Sequence, residues 1–128
     1  MREIKFRTFY KNEKEMFEVL KIDFELGIIW LDGVKNWHVY SKDCELLQYT
    51  GLKDKNKKEI FEGDVVNYVY DTYKGEDNIK GEIVFFDGQY GIDAGDQLIG
   101  IRNVQDWEAI EVIGNIYSNP ELLVQYRR

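Results

Sequence analysis

Residues 48–70 read QYTGLKDKNKKEIFEGDVVNYVY. Six of the eight residues from Leu52 to Glu59 are charged, and the stretch closes on Gly63-Asp64 and a run of Val, Asn and Tyr. Its first half is either a binding loop or a turn that launches a strand. The turn has the better physical support. Asn56-Lys57 sits where a two-residue turn would fall, and Asn tolerates the positive φ that one half of a type I′ turn needs. Lys57 costs about 1 kcal/mol there relative to Gly, the order of the left-handed penalty. Lysines at a hairpin tip stay in water and discourage edge-to-edge pairing. Beyond the turn, Val66, Tyr68 and Tyr70 point to one face of a strand and Val65, Asn67 and Val69 to the other. Gly63 suits a strained φ before that strand, and Asp64 is placed to cap a nearby amide.

Working outward, EIKFRTFY alternates as a strand and KNEK is a polar turn. Met16–Asp23 and Gly27–Leu31 read as two more strands. A helical period competes over Phe17–Leu26, but the Ile-Ile-Trp-Leu run and the break at Gly27 favour strands. Asp32-Gly33 is a turn pair, and WHVY and ELLQYT are short strands, the second ending at Gly51. Downstream, KGEDN reads as a loop and IKGEIVFFD as a strand with Gly81 at a bulge or bend. DGQYGIDAGDQ is glycine-rich and turning. QLIGIRN and DWEAIEVIGNIY are the last strands, with Trp107 near the start of the second and a helix over Asp106–Glu111 as the competitor. Asn119 is an N-cap, Pro120 takes the first helical position, and Leu122 and Leu123 dock that short helix.

The chain has 128 residues, enough for one domain or one domain with an appended lobe. Nine Tyr, seven Phe and three Trp tilt the expectation towards β structure. So many aromatics exceed what one small barrel buries, which points to a homo-oligomer or a lobe interface. Cys44 is the sole cysteine, in keeping with a reducing compartment. No apolar run reaches the ~18 residues of a membrane span, and MREIKFRTFYKNEKEM lacks the apolar core of a secretory signal. A cytoplasmic protein with no membrane association is expected. The net charge is −7, and residues 59–100 hold ten acidic and two basic residues. That acidic segment is either a solubilising face or a patch that engages a basic partner or imitates a phosphate backbone.

Two stretches, LLQYTGLKDKNKKEIFEGDVV and EVIGNIYSNPELL, together with IKFRTFY at the start, resemble the YopX family of small proteins from bacterial phages and prophages. The resemblance runs nearly end to end. It departs from the family at Lys57, where Gly is common. It implies a mainly β fold with an SH3-like barrel in the C-terminal half; the residues themselves add a partly open closure, an N-terminal β lobe and a short C-terminal helix. The lobe is expected over residues 1–50 and the barrel over 51–128, packed as one compact unit. The resemblance brings no catalytic residues and no ligand. The residues alone agree with the barrel, because short strands with glycine bends follow one another from Glu62 to Tyr117.

Candidate chemistry is sparse. His38 is the only histidine, so no His/Cys set exists for a structural zinc, and no metal or cofactor is expected. Cys44 and His38 could be imagined as a nucleophile pair, but a packed, inert Cys is the plainer alternative. Ser41 and Ser118 lack a nucleophile-elbow context. Glu62 and Asp64 are paired carboxylates at a turn. Asp87, Asp93 and Asp96 form an acidic, glycine-rich stretch whose spacing does not fit an EF-hand. Lys53, Lys55, Lys57 and Lys58, flanked by Tyr49 and Phe61, could contact phosphates and stack bases. The expectation is therefore a non-enzymatic interaction module, without catalytic residues, that binds a protein partner from host or phage. Nucleic-acid binding through the Lys53–Lys58 hairpin, or an acidic decoy over residues 59–100, is the alternative.

Overall fold

The polar turn at residues 11–14 and the alternating segments around it form the first antiparallel ladder of a computed structural model that describes residues 3–33, 37–100 and 109–123. The chain divides into two compact units, residues 1–49 and 50–128. In the first, β1 (Phe6–Tyr10), β2 (Glu15–Asp23), β3 (Ile28–Leu31), β4 (His38–Tyr40) and the start of β5 (Cys44–Lys53) are ordered β4-β3-β2-β1-β5. A 3₁₀ turn, Ser41–Asp43, joins the last two. Strand, not helix, therefore forms over Phe17–Asp23. The ladder register puts Thr8 opposite Phe17 on one side and Leu46 on the other. Ile29, Leu31 and Val39 are the buried centre of this unit, with Tyr10, Phe17, Val19, Ile22, Trp37, Cys44 and Leu46 packed against them. Trp37 meets Tyr10 and Phe17 edge-on, with ring centroids 5.7 and 5.4 Å away. Such pairs are worth about 0.5–1.5 kcal/mol beyond area burial.

The second unit begins within β5. That strand does not end at Gly51, as the sequence suggests, but runs on to Lys53 through a positive φ at Gly51. Thr50 spans the kink: its Oγ1 donates to Ile60 O at 2.7 Å and accepts the Leu52 N–H at 3.2 Å. β6 (Glu59–Phe61) is the neighbour of β5 here. A five-stranded antiparallel sheet follows, ordered β10-β9-β8-β7-β11, from β7 (Asp64–Thr72), β8 (Gly75–Phe86), β9 (Gln89–Asp93), β10 (Leu98–Gly100) and β11 (Ile110–Asn115). The fold is mainly β, with two antiparallel sheets and no closed barrel, in keeping with the partly open barrel expected. Ile60, Val66, Tyr68, Ile83, Ile92 and Ile110 are the core. Burying each such aliphatic side chain stabilises by about 1.5–3 kcal/mol.

Several local expectations are met in this unit. Gly63 has φ +82°, and Asp64 Oδ2 accepts the Phe61 N–H at 2.8 Å. Others are corrected. KGEDN is not a loop: β7 and β8 stay paired out to Thr72↔Gly75, and only Tyr73-Lys74 turns. Thr72 Oγ1 closes that turn by donating to Gly75 O and accepting the Lys74 N–H. Gly81 is not at a bulge. Its register with Val66 is regular, and its role is close approach, since a Cβ there would lie 2.5 Å from Ile92 Cγ2 and 2.6 Å from Asp93 O. The one register shift of β11 falls between Val112 and Gly114. Pro120–Leu123 form a 3₁₀ turn with Leu123 buried. The Asn119 side chain, expected to cap that turn, instead accepts the Asn115 N–H at 3.2 Å. Trp107, half of the alternative helix over Asp106–Glu111, and residues 101–103 of QLIGIRN lie outside the described residues, while Ile110 and Glu111 belong to β11.

Candidate functional site

The lysine hairpin is organised by a residue of the opposite charge. Asp54 is 3% exposed. Its Oδ1 accepts the N–H groups of Asn56 (2.8 Å) and Lys58 (2.9 Å), and its Oδ2 accepts the Val112 N–H of β11 at 2.9 Å. Burial alone would raise this carboxyl's pKa. The Val112, Lys58 and Asn56 amides, with the Lys58 charge, outweigh burial and hold it below the ordinary aspartate value. Lys57 N–H donates to Asp54 O, Asp54 N–H to Lys58 O, and Lys55 N–H to Ile110 O. The hairpin is thus a three-residue loop strapped to β11. Of Asn56-Lys57 only Lys57 takes a positive φ, +64°, so the type I′ turn gives way to a turn followed by one left-handed residue. The reason is Asp54, whose carboxylate already fixes Asn56.

Lys53, Lys55, Lys57 and Lys58 all stand exposed, and Lys55 Nζ lies 3.8 Å from Glu111 Oε2. Asn56 Nδ2 donates to the same oxygen at 3.3 Å. Tyr49 and Phe61, which the stacking idea needs in solvent, are 4% and 2% exposed. Neither ring is offered to a base. The lysines remain as charges without an aromatic platform.

Asp87, Asp93 and Asp96 do not share a loop. Asp87 turns the β8–β9 hairpin together with Gly88, Asp93 ends β9, and Asp96 follows it. The intervening strand is regular rather than turning, and at about 3.4 Å per residue it sets Asp87 well apart from the other two. Asp93 Oδ1 accepts the Gly95 N–H at 2.9 Å. Among the described residues no three His, Cys, Asp or Glu side chains gather as metal ligands. Cys44 and His38 have separate surroundings. Cys44 is half-buried, and its thiol pKa is pushed up by burial, against a hydrogen bond to Thr8. The His38 ring lies 5.7 Å from that of Trp30 and 6.5 Å from that of Tyr40. Among the described residues no helix is long and apolar enough to cross a membrane.

Sequence reasoning missed the surface that stands out most. In the first unit Ile4, Leu20, Phe24, Leu26 and Tyr40 are all exposed, Phe24 by 82%. Ile4 and Leu20 flank an open groove of about 400 Å³ between residues 3–6 and 19–22. The available signal was the pair Val19-Leu20, two apolar neighbours that break the alternation of β2 and force one into solvent. A register shift between Val19 and Lys21 sits there.

The profile of the family described as YopX protein matches residues 5–124. The chain belongs to the YopX family. Among solved structures, it is similar to protein EF1440 from Enterococcus faecalis, with 30% identity and a TM-score of 0.71 over 96% of this chain and 99% of that one. It is also similar in fold to YopX from Bacillus subtilis, with 21% identity and a TM-score of 0.59 over 96% and 97% of the two chains. Comparison with curated proteins gives no match. Membership of the YopX family thus accounts for the fold from end to end and attaches no chemistry to any side chain above.

Proposed function

We propose that this YopX-family chain is a non-enzymatic interaction module that binds a protein partner, of host or phage origin, in the bacterial cytoplasm. The observation that carries this reading is the exposed apolar surface of the first unit, where Ile4, Leu20, Phe24 and Leu26 stand in water on one small β unit. Large side chains left in solvent together mark contact sites for other macromolecules. The lysine hairpin supports a nucleic-acid reading less well, because its flanking aromatics are inside.

The test is affinity capture from host lysate with the full chain and two surface variants. Phe24→Asp/Leu26→Asp removes apolar contact at exposed positions and leaves the fold alone. Lys53→Glu/Lys57→Glu/Lys58→Glu reverses the hairpin. The expected result is a specific protein retained by the parent and the hairpin variant and lost with the apolar variant. A blank capture by the parent, or nuclease-sensitive capture lost only with the hairpin variant, contradicts the proposal.

A further inference from the structure

We infer that the first unit takes an extended segment of its protein partner as an added strand, in the groove where the β1–β2 ladder splays open. That segment carries apolar residues at alternate positions and an acidic residue beside Lys21. The inference rests on the protein-binding reading above and gives it a site.

The argument starts from register. Pairing of β1 with β2 stops at Arg7↔Glu18. Continued, it would set Lys5 opposite Leu20 and Ile4 opposite Lys21. Instead the two segments part. Lys5 gives its carbonyl to the Tyr49 N–H at 2.8 Å, and from Val19 onward β2 pairs with β3. The register with β3 is irregular at the same point, between Val19 and Lys21, and bulges are where strands bend and end their pairing. The groove is the gap left between residues 3–6 and 19–22.

Three properties of the gap specify what fills it. First, β2 here has β3 on one side and, among the described residues, no strand on the other. Its wall is a strand edge, whose amide and carbonyl groups are matched by an extended polypeptide and by no other common polymer. Second, Ile4 and Leu20 at the rim are 75% and 67% exposed. A strand with apolar side chains at every second position covers such a rim on one face. Third, the charged groups of the groove are Lys5, Lys21 and Glu3. Lys5 Nζ already engages Glu3 at 3.3 Å, while Lys21 Nζ is held 4.6 Å from the Trp30 ring centroid with no carboxylate against it among the ion pairs of the described residues. A carboxylate on the incoming strand is its complement.

The experiment is selection of a random displayed peptide library on the full chain, followed by fluorescence anisotropy with the enriched peptides. The expected peptides alternate apolar residues and carry an acidic one. N-methylation of their central amides weakens binding about tenfold, or about 1.4 kcal/mol. Lys21→Glu shifts the preference from acidic to basic peptides, Leu20→Asp abolishes binding, and Lys57→Glu changes nothing. No enrichment over the Ile4→Asp/Leu20→Asp variant overturns the inference. So does equal affinity of N-methylated peptides, or indifference to Lys21→Glu. The two readings fail differently: a partner captured from lysate that ignores Leu20→Asp but is lost with Phe24→Asp/Leu26→Asp removes the groove and keeps the binding module.

Discussion

At the scale of single residues, Asp54 decides what the charged stretch is. A carboxylate that accepts two amides of its own turn and one from β11 converts a lysine-rich tip into a fixed strap. Hydrogen bonds to a charged group are worth about 1.5–3 kcal/mol each and do not add fully, so Asp54→Ala is expected to cost about 3 kcal/mol in urea unfolding. The pH dependence follows from the sign of the shift. The folded carboxyl titrates below the unfolded value of ~3.9, so its contribution is complete above that pH and falls away as the pH drops through the lower folded value. The stability gap between the parent and Asp54→Asn is therefore expected to be constant near neutrality and to close below about pH 4. A gap independent of pH would contradict this account. Lys57 is the opposite case, a non-glycine residue at φ +64°. Lys57→Gly is expected to stabilise by up to about 1 kcal/mol, since relief of the left-handed strain exceeds the added chain entropy.

At the scale of elements, the alternation of β7 and the Gly63-Asp64 turn were legible from the sequence because both depend on neighbours along the chain. The location of the turn near Lys57 was legible for the same reason. What organises that turn was not, since the Val112 amide is 58 residues away from Asp54. The start of β8 was misread as a loop because Glu76, Asp77 and Asn78 are solvent-exposed, and strand rows without a buried face show no apolar alternation. Gly81 was misread because what excludes a side chain there is the backbone of Asp93 on the neighbouring strand, which no local pattern reveals. This makes a clean prediction for the element. Gly81→Ala places a methyl within 2.6 Å of the Asp93 carbonyl and is expected to destabilise by about 1–3 kcal/mol, an overpacking cost, in the same urea titration. A neutral result would mean that β8 and β9 separate more readily than their register implies.

At the scale of the whole chain, the family fold was legible from two ordered motifs and the site was not. Motifs record turns and caps. The proposed binding surface is written in which apolar residues fail to find a partner, and that is a tertiary outcome. The charges that draw the eye are placed locally: Asp54 underlies the lysines, Asp87 lies in the β8–β9 turn, and Asp93 ends β9 and caps the turn that holds Asp96. Large apolar side chains stand exposed in both units, Tyr73, Phe85 and Leu98 in the second, but five of them, Ile4, Leu20, Phe24, Leu26 and Tyr40, fall in residues 1–49. The most direct measurement of that claim is photo-crosslinking in bacterial cells expressing the full chain, with a photoreactive amino acid placed in turn at Leu20, Phe24 and Lys57. The account predicts a protein adduct of one defined mass from Leu20 and Phe24, and none from Lys57. Adducts from Lys57 alone, or adducts to nucleic acid, would contradict it.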